Sequence, residues 1–295
     1  MPHKKHIVTT DTNSIRLSDY GPGIFPGLPT KSAFKKALKK GEILVDGQPG
    51  TTGHIVKPGE VITLNPAEQK SVKLYHIELE TVYEDEYMAV VTKPAGVVVS
   101  GNQFRTLENA IPLHLKPSPN TDALASPKAI HRLDAPTSGL IIIAKTAGAR
   151  VKLSTQMQQK DIHKTYTAVV IGETEESWSS ETPIDEKPAR TLFKKITSVP
   201  SLRSGTLTLV EAKPITGRTH QIRKHLAEAG TPILGDKTYG KEGLIMKGKG
   251  LFLCATRVDF SHPFSGEQMS IEIPPPEKFE KFMQGEQRRW EKYRV

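Results

Sequence analysis

Asp134 sits in the run His131-Arg132-Leu133-Asp134-Ala135-Pro136-Thr137-Ser138-Gly139, a loop composition that leads into the apolar segment Leu140 to Ala144. A carboxylate held in a loop beside a guanidinium keeps its charge. Ionised and oriented, it can attack an electron-poor carbon or stabilise a developing cation. An isolated loop Asp more often caps its own turn and pairs with a neighbour such as Arg132, so on these residues alone both readings stand. A second cluster, Gly217-Arg218-Thr219-His220-Gln221-Ile222-Arg223, reads as a turn entering a helix, with Arg218, Arg223 and Lys224 near its first turns. A helix start flanked by cations seats a phosphate or a carboxylate. A third segment, Lys93-Pro94-Ala95-Gly96, follows a short apolar strand.

Other chemistries find no support. His220 and His225 are five residues apart, which does not put both on one helix face and disfavours a zinc pair. His-Arg-Leu-Asp has one residue too many for a kinase catalytic loop, and no Gly-rich loop or Asp-Phe-Gly accompanies it. Neither a Walker A loop nor a dinucleotide fingerprint is present. The single cysteine, Cys254 in Leu251–Ala255, excludes an intramolecular disulfide framework and a thiolate zinc cage, and reads as a small buried residue. A reaction without cofactor or metal is the expectation.

The elements that must position these residues follow from pattern. Thr30 caps a helix over Lys31 to Lys40, stopped by Gly41. Phe34, Ala37 and Leu38 share one side of it, and Lys35, Lys36, Lys39 and Lys40 occupy the rest. Short strands are expected at Glu42 to Val45 and Val61 to Leu64, with turns at Asp46-Gly47 and Lys57 to Glu60. Ser71 to Val82 reads as a connector entering a strand. Further strands fall at Ala89 to Thr92, Leu140 to Ala144, Tyr166 to Ile171 and Thr206 to Glu211. Helices fall at Ala147 to Gln159, Thr219 to Ala229 and Glu277 to Tyr293. Strand and helix do not alternate regularly, which predicts an α+β fold rather than a doubly wound one.

With 295 residues the chain can bury a large core and a small one. Apolar runs such as Gly139 to Ala144 are too short to span a bilayer. No apolar stretch follows Lys4 and Lys5. A cytoplasmic protein without a membrane partner is expected. The net charge of +9 and pI near 9.4 favour a polyanionic partner.

The run HRLDAPTSGLIIIAK at 131–145 resembles the signature of the RluA-type pseudouridine synthase family. KPAG at 93–96, Tyr166 within Lys164-Thr165-Tyr166 and GRTHQIR at 217–223 match its other motifs in the same order, and Pro232 to Gly240 and His262-Pro263 are also similar. The likeness covers residues 75 to 276. Residues 15 to 65 resemble the small RNA-binding module of the S4 ribosomal-protein type.

The resemblance implies an enzyme that isomerises specific uridines in structured RNA, ribosomal or transfer, to pseudouridine, with no cofactor. Asp134 would be the nucleophile toward the flipped uridine or its ribose. Tyr166 would stack on the uracil, and Arg223 would pair with Asp134 and keep it ionised. Arg132 would help displace the base. His131, Lys93, Arg218, Thr219, His220 and Gln221 would contact the substrate, and the lysine face at 35, 36, 39 and 40 would track RNA.

The implied architecture is a mixed, mainly antiparallel sheet in a catalytic domain at 71–276. A flexible arm at 1–14 and a small αβ RNA-binding module at 15–70 precede it, and a helical tail at 277–295 follows. The protein would be a monomer with RNA as partner. Pro136, Ser100-Gly101 and Lys224 depart from the family pattern. A catalytically silent RNA-binding or ribosome-assembly protein on the same fold is the alternative, argued against by the joint presence of Asp134, Tyr166 and Arg223.

Overall fold

Thr30 and Gly41 bracket the first long helix as their chemistry predicts. In the computed structural model, which describes residues 4–9, 14–65, 74–245 and 248–294, the Thr30 hydroxyl accepts from the Ala33 N–H at 3.2 Å. Gly41 takes φ +71° just beyond the helix end. The N-terminal unit comprises β1 (Lys4–Ile7), α1 (Leu17–Tyr20), α2 (Lys31–Lys39), β2 (Ile43–Val45), β3 (Gln48–Pro49) and β4 (Val61–Leu64). Its strands form a sheet in the order β1-β4-β2-β3. Phe25, Phe34, Leu17, Ile43 and Ile62 fill the core between sheet and helices. Gly21 is a glycine because a Cβ there would enter the ring of Phe34.

One expectation is corrected here. Within the arm expected to be flexible over residues 1–14, Lys4–Ile7 pair antiparallel with β4, from Lys4 opposite Leu64 to Ile7 opposite Val61. The free edge of β4 offers backbone partners, the His6 Nε2 meets the Tyr20 hydroxyl at 2.7 Å, and Val8 is buried. Four residues are too few to show a period. Residues 1–3 and 10–13 of that arm, and 71–73 of the expected connector, lie outside the described residues.

The larger unit is a ten-stranded sheet. In chain order it contains β5 (Glu80–Glu84), β6 (Met88–Lys93), α3 (Leu107–Ala110), β7 (Ala123–Ala129), β8 (Ser138–Thr146), α4 (Ala147–Gln159) and β9 (His163–Ile171). Then come β10 (Ser177–Ser180), β11 (Thr191–Ser201), β12 (Gly205–Pro214), α5 (Gln221–Glu228), β13 (Leu253–Ser261), β14 (Gln268–Glu272) and α6 (Glu277–Tyr293). The strand order is β10-β11-β12-β9-β13-β8-β6-β5, with β14 on β13 and β7 on β8. Every pairing is antiparallel except β13 with β8, which runs parallel for two residue pairs, Cys254–Ser138 and Ala255–Gly139. The fold is therefore α+β with a mainly antiparallel sheet.

The central strands are apolar on both faces because both faces are covered. Ala89, Val91, Ile141 and Ile143 join one core with Phe252 and Phe279. Val90, Leu140 and Ile142 join the other with Leu153 of α4. At the parallel seam Gly139 has φ +116°, and a Cβ there would overlap the backbone of Ala255. That close approach brings the loop before β8 up against β13 and β9.

Candidate active site

The Asp134 loop is held by the turn after β6. The Gly96 N–H donates to the Ala135 carbonyl at 2.7 Å. The Lys93 amine donates to the carbonyls of Pro94, Val97 and Ala135 at 2.9, 2.7 and 3.1 Å. Burial pulls this amine down to about 8, against the opposing charge of Asp134. Lys93 is fully buried, so the substrate contact expected of it is corrected to a latch between two loops. Its three donors are met by these three backbone carbonyls. The Thr137 N–H donates to the Asp134 carbonyl at 3.1 Å. The turn thus uses the backbone of Asp134, leaving the carboxylate for other partners.

Those partners come from α5. Arg223 Nη1 donates to Asp134 Oδ2 at 3.2 Å, while Nε and Nη2 grip Asp236 at 2.7 and 2.8 Å. Arg223 and Asp236 are both buried. Burial works against the charge of Asp236, but Arg223 and two backbone donors outweigh it and hold the carboxyl below its usual range. Among the described residues Asp134 has a second basic neighbour, His220 Nε2 at 3.7 Å; Arg132 is not one of its ion-pair partners. The pairing of Asp134 with its sequence neighbour is therefore not what the fold builds.

The carboxylate opens on a cleft of about 290 Å³ lined by His131, Arg132, Asp134, Lys164, Tyr166, Arg218, Thr219, His220, Gln221 and Arg223, among others. Tyr166 projects from β9, where it lies opposite Ala212 on β12 and Ala255 on β13. Burial, and after it the charge of Asp134, raise its phenol above the usual value, so the ring is neutral. Lys164 shares that strand face two residues away, and burial lowers its amine.

Two expectations at the helix start change. Gln221 lines the cleft wall, but its side chain is spent inward. It accepts from Thr216 Oγ1 at 2.7 Å and from the Arg218 N–H at 3.0 Å, and it donates to the Arg190 carbonyl and Thr191 Oγ1, each at 2.9 Å. Its role is to fasten the loop before α5, not to meet substrate. Of the three cations expected to seat an anion there, Arg223 is committed to carboxylates and Lys224 pairs with Asp185 at 2.9 Å. Arg218 remains on the cleft wall, with Nε on the Pro188 carbonyl at 3.0 Å.

His131 is held within the wall. Its Nε2 accepts from the Ile142 N–H at 3.3 Å, and Nδ1 is buried with no partner among the described residues. Burial, reinforced by the charge of Lys164, pulls the imidazole from 6.5 down to about 3. Between these values the unfolded chain takes up a proton that the folded protein refuses. Stability is then complete above pH 6.5 and falls as pH drops toward 3, at up to about 1.4 kcal/mol per pH unit from this one group. Urea melts at a series of pH values should show His131→Asn with a shallower acid-side slope than the wild type. Equal slopes would contradict a buried neutral imidazole.

Asp236, Tyr239 and Lys164 are site residues that the sequence reading does not single out. The alternation of Lys164 with Tyr166 was a usable signal for one of them; the family likeness of Pro232 to Gly240 was one for the other two, though it assigned them no role. Among the described residues no group of three or more His, Cys, Asp or Glu could hold a metal ion.

A family model described as RNA pseudouridylate synthase matches residues 87–228. A protein of Aquifex aeolicus described as an uncharacterized RNA pseudouridine synthase is 34% identical over 289 residues, spanning 90% of this chain and 91% of that one. The chain belongs to the RNA pseudouridylate synthase family. The synthase is also 32% identical over 286 residues to the ribosomal large subunit pseudouridine synthase D of Xanthomonas campestris pv. campestris, covering 88% of this chain and 85% of that relative. In fold it is similar to the human RNA pseudouridylate synthase domain containing 1, with a TM-score of 0.56 and 23% identity over 71% of this chain and 86% of that one.

Proposed function

We propose that the synthase converts uridine in large-subunit ribosomal RNA to pseudouridine, with Asp134 as nucleophile. The observation that carries this reading is the Asp134 carboxylate, gripped by Arg223 at 3.2 Å and opening on a cleft that Tyr166 also lines. The large-subunit RNA comes from what the Xanthomonas relative is named to act on. Asp134 attacks the extruded uridine or its ribose, and the N1–C1′ bond breaks. The uracil turns on the Tyr166 ring, a C5–C1′ bond forms, the bond to Asp134 breaks and returns its electron pair to the carboxylate, and the C5 proton is lost to solvent while N1 gains one. Atoms and electrons balance without an external group. Extrusion of the base costs a few kcal/mol, which stacking and the cations Arg132 and Arg218 on the cleft wall offset. The direct test is tritium release from [5-³H]uridine-labelled large-subunit RNA transcribed in vitro. No release above background would remove the assignment.

The N-terminal unit, S4-like in its sequence, serves in this reading to hold RNA, in a protein that acts as a cytoplasmic monomer. No helix among the described residues is long and apolar enough to cross a membrane. Lys35, Lys36 and Lys39 are exposed on α2 and Lys40 is exposed just past its end, where it pairs with Glu42 at 3.2 Å. If Lys36 and Lys39 meet phosphates, their joint replacement by Gln should lower the slope of log affinity against log salt by about 1.5. Stability should change by no more than about 0.5 kcal/mol, and turnover at saturating RNA should survive. Filter binding over a salt series checks this, and superimposable lines would show that these lysines only face water.

A further inference from the structure

The Asp134 carboxylate is addressed at both oxygens, and both of its partners are fixed from behind by one segment, residues 236–239. Oδ2 receives Arg223 Nη1 at 3.2 Å, and Oδ1 faces His220 Nε2 at 3.7 Å. Asp236 holds the other two nitrogens of the Arg223 fork. Asp236 is itself built into its loop, because Oδ1 also accepts the N–H groups of Thr238 and Tyr239 at 2.9 and 3.1 Å. The Arg223 guanidinium lies 5.0 Å from the centre of the Tyr239 ring, and the Tyr239 hydroxyl meets His220 Nδ1 at 2.9 Å. His220 keeps this place at φ +57°, a left-handed conformation that disfavours a residue with a Cβ. The contacts close a ring: Asp134, Arg223, Asp236, Tyr239, His220 and back to Asp134.

We propose that Asp236 and Tyr239 are positioning residues for the nucleophile, Asp236 acting through Arg223 and Tyr239 through His220; this rests on the reading of Asp134 given above. A planar guanidinium with two nitrogens clamped can present the third in only one direction. Two carboxylates against one guanidinium also leave one negative charge over. Because Asp236 makes the bidentate, more buried pair, Arg223 orients Asp134 without quenching its charge, and the oxygen remains able to attack. The Tyr239 hydroxyl gives the His220 ring one orientation, with Nε2 turned to Asp134. The segment therefore fixes the direction of attack while touching no substrate.

The test uses full-length protein and [5-³H]uridine-labelled large-subunit RNA in single-turnover tritium release. Tyr239→Phe keeps the ring over Arg223 and removes only the hydroxyl. It should slow the chemical step about tenfold, with half-saturating RNA concentration within about twofold of wild type. Asp236→Asn should slow the step about a hundredfold or more with a similarly small change in half-saturation. If Asp236→Asn does not fold, Tyr239→Phe carries the test.

Because Tyr239 acts through His220, the double variant Tyr239→Phe, His220→Gln should be no slower than His220→Gln alone. Tyr239→Phe at the wild-type rate, or a double variant slowed by the product of the two single effects, would overturn the proposal. Asp134→Asn is run beside them. If it is inactive while Tyr239→Phe and Asp236→Asn are unimpaired, the positioning role falls and the nucleophile stands. If it is fully active, the nucleophile reading itself falls.

Discussion

Asp134→Asn should bind RNA about as well as the wild type and release no tritium above background. The substitution keeps the size of the side chain and an oxygen for Arg223 Nη1 to reach, but an amide oxygen is a poor nucleophile. The loss in turnover should be at least on the order of a thousandfold. The fold should tolerate the change, for a reason visible in the charge arrangement. Arg223 retains its bidentate pair with Asp236, so no buried charge is left alone. A shift of no more than about 1 kcal/mol in unfolding free energy is expected. Equal RNA affinity by filter binding, together with absent release, separates a chemical defect from a binding defect. Release at a near wild-type rate would end the assignment of Asp134 as nucleophile.

Arg223→Ala should be the most damaging single change to stability and activity together. It strands Asp134 and Asp236 facing each other, one of them 1% exposed, with no cation between them. Breaking a buried pair in this way costs about 3 to 5 kcal/mol of stability. Turnover should fall by about 3 kcal/mol or more in activation free energy, over a hundredfold. Arg223→Lys should recover only part of either loss, since an ammonium cannot serve Asp236 at two points while reaching Asp134 at a third. Urea melts and single-turnover rates on the same preparations give both numbers. An Arg223→Ala protein with unchanged turnover would mean that His220 alone holds the carboxylate.

Much of the cleft could be read from the chain because its residues sit in short local runs. Asp134, Tyr166 and the Gly217 to Arg223 stretch carry the family likeness, and the structure gathers all three around one cavity. The α2 helix was legible because Thr30, the Phe34–Leu38 face and Gly41 agree with one another. What was hidden depends on contacts between distant residues. Lys93 looks like a cation available to substrate until the carbonyls of Pro94, Val97 and Ala135 surround its amine. Gln221 has the look of a polar site residue, and only the fold shows all its hydrogen-bonding capacity turned toward Thr216, Arg218, Arg190 and Thr191. Asp236 lies in the family-like run Pro232 to Gly240, but only its contact with Arg223 shows what it does. β1 escapes notice because its partner, β4, lies more than fifty residues further on.

The place of β13 in the sheet has a consequence for how the protein is born. β8 and β9 are made early, yet they do not pair with each other; the strand that joins them, Leu253–Ser261, follows about eighty residues after β9. Until it leaves the ribosome, the edge of β9 from His163 to Ala168 and the start of β8 at Ser138 and Gly139 lack their partner, and Asp134 and Tyr166 sit on two half-sheets that no strand yet joins. Such edges invite pairing with other chains. The nascent protein therefore carries its nucleophile for more than a hundred residues of synthesis before it has an active site. A chain ending before Leu253 should be found in inclusion bodies rather than as a slow enzyme.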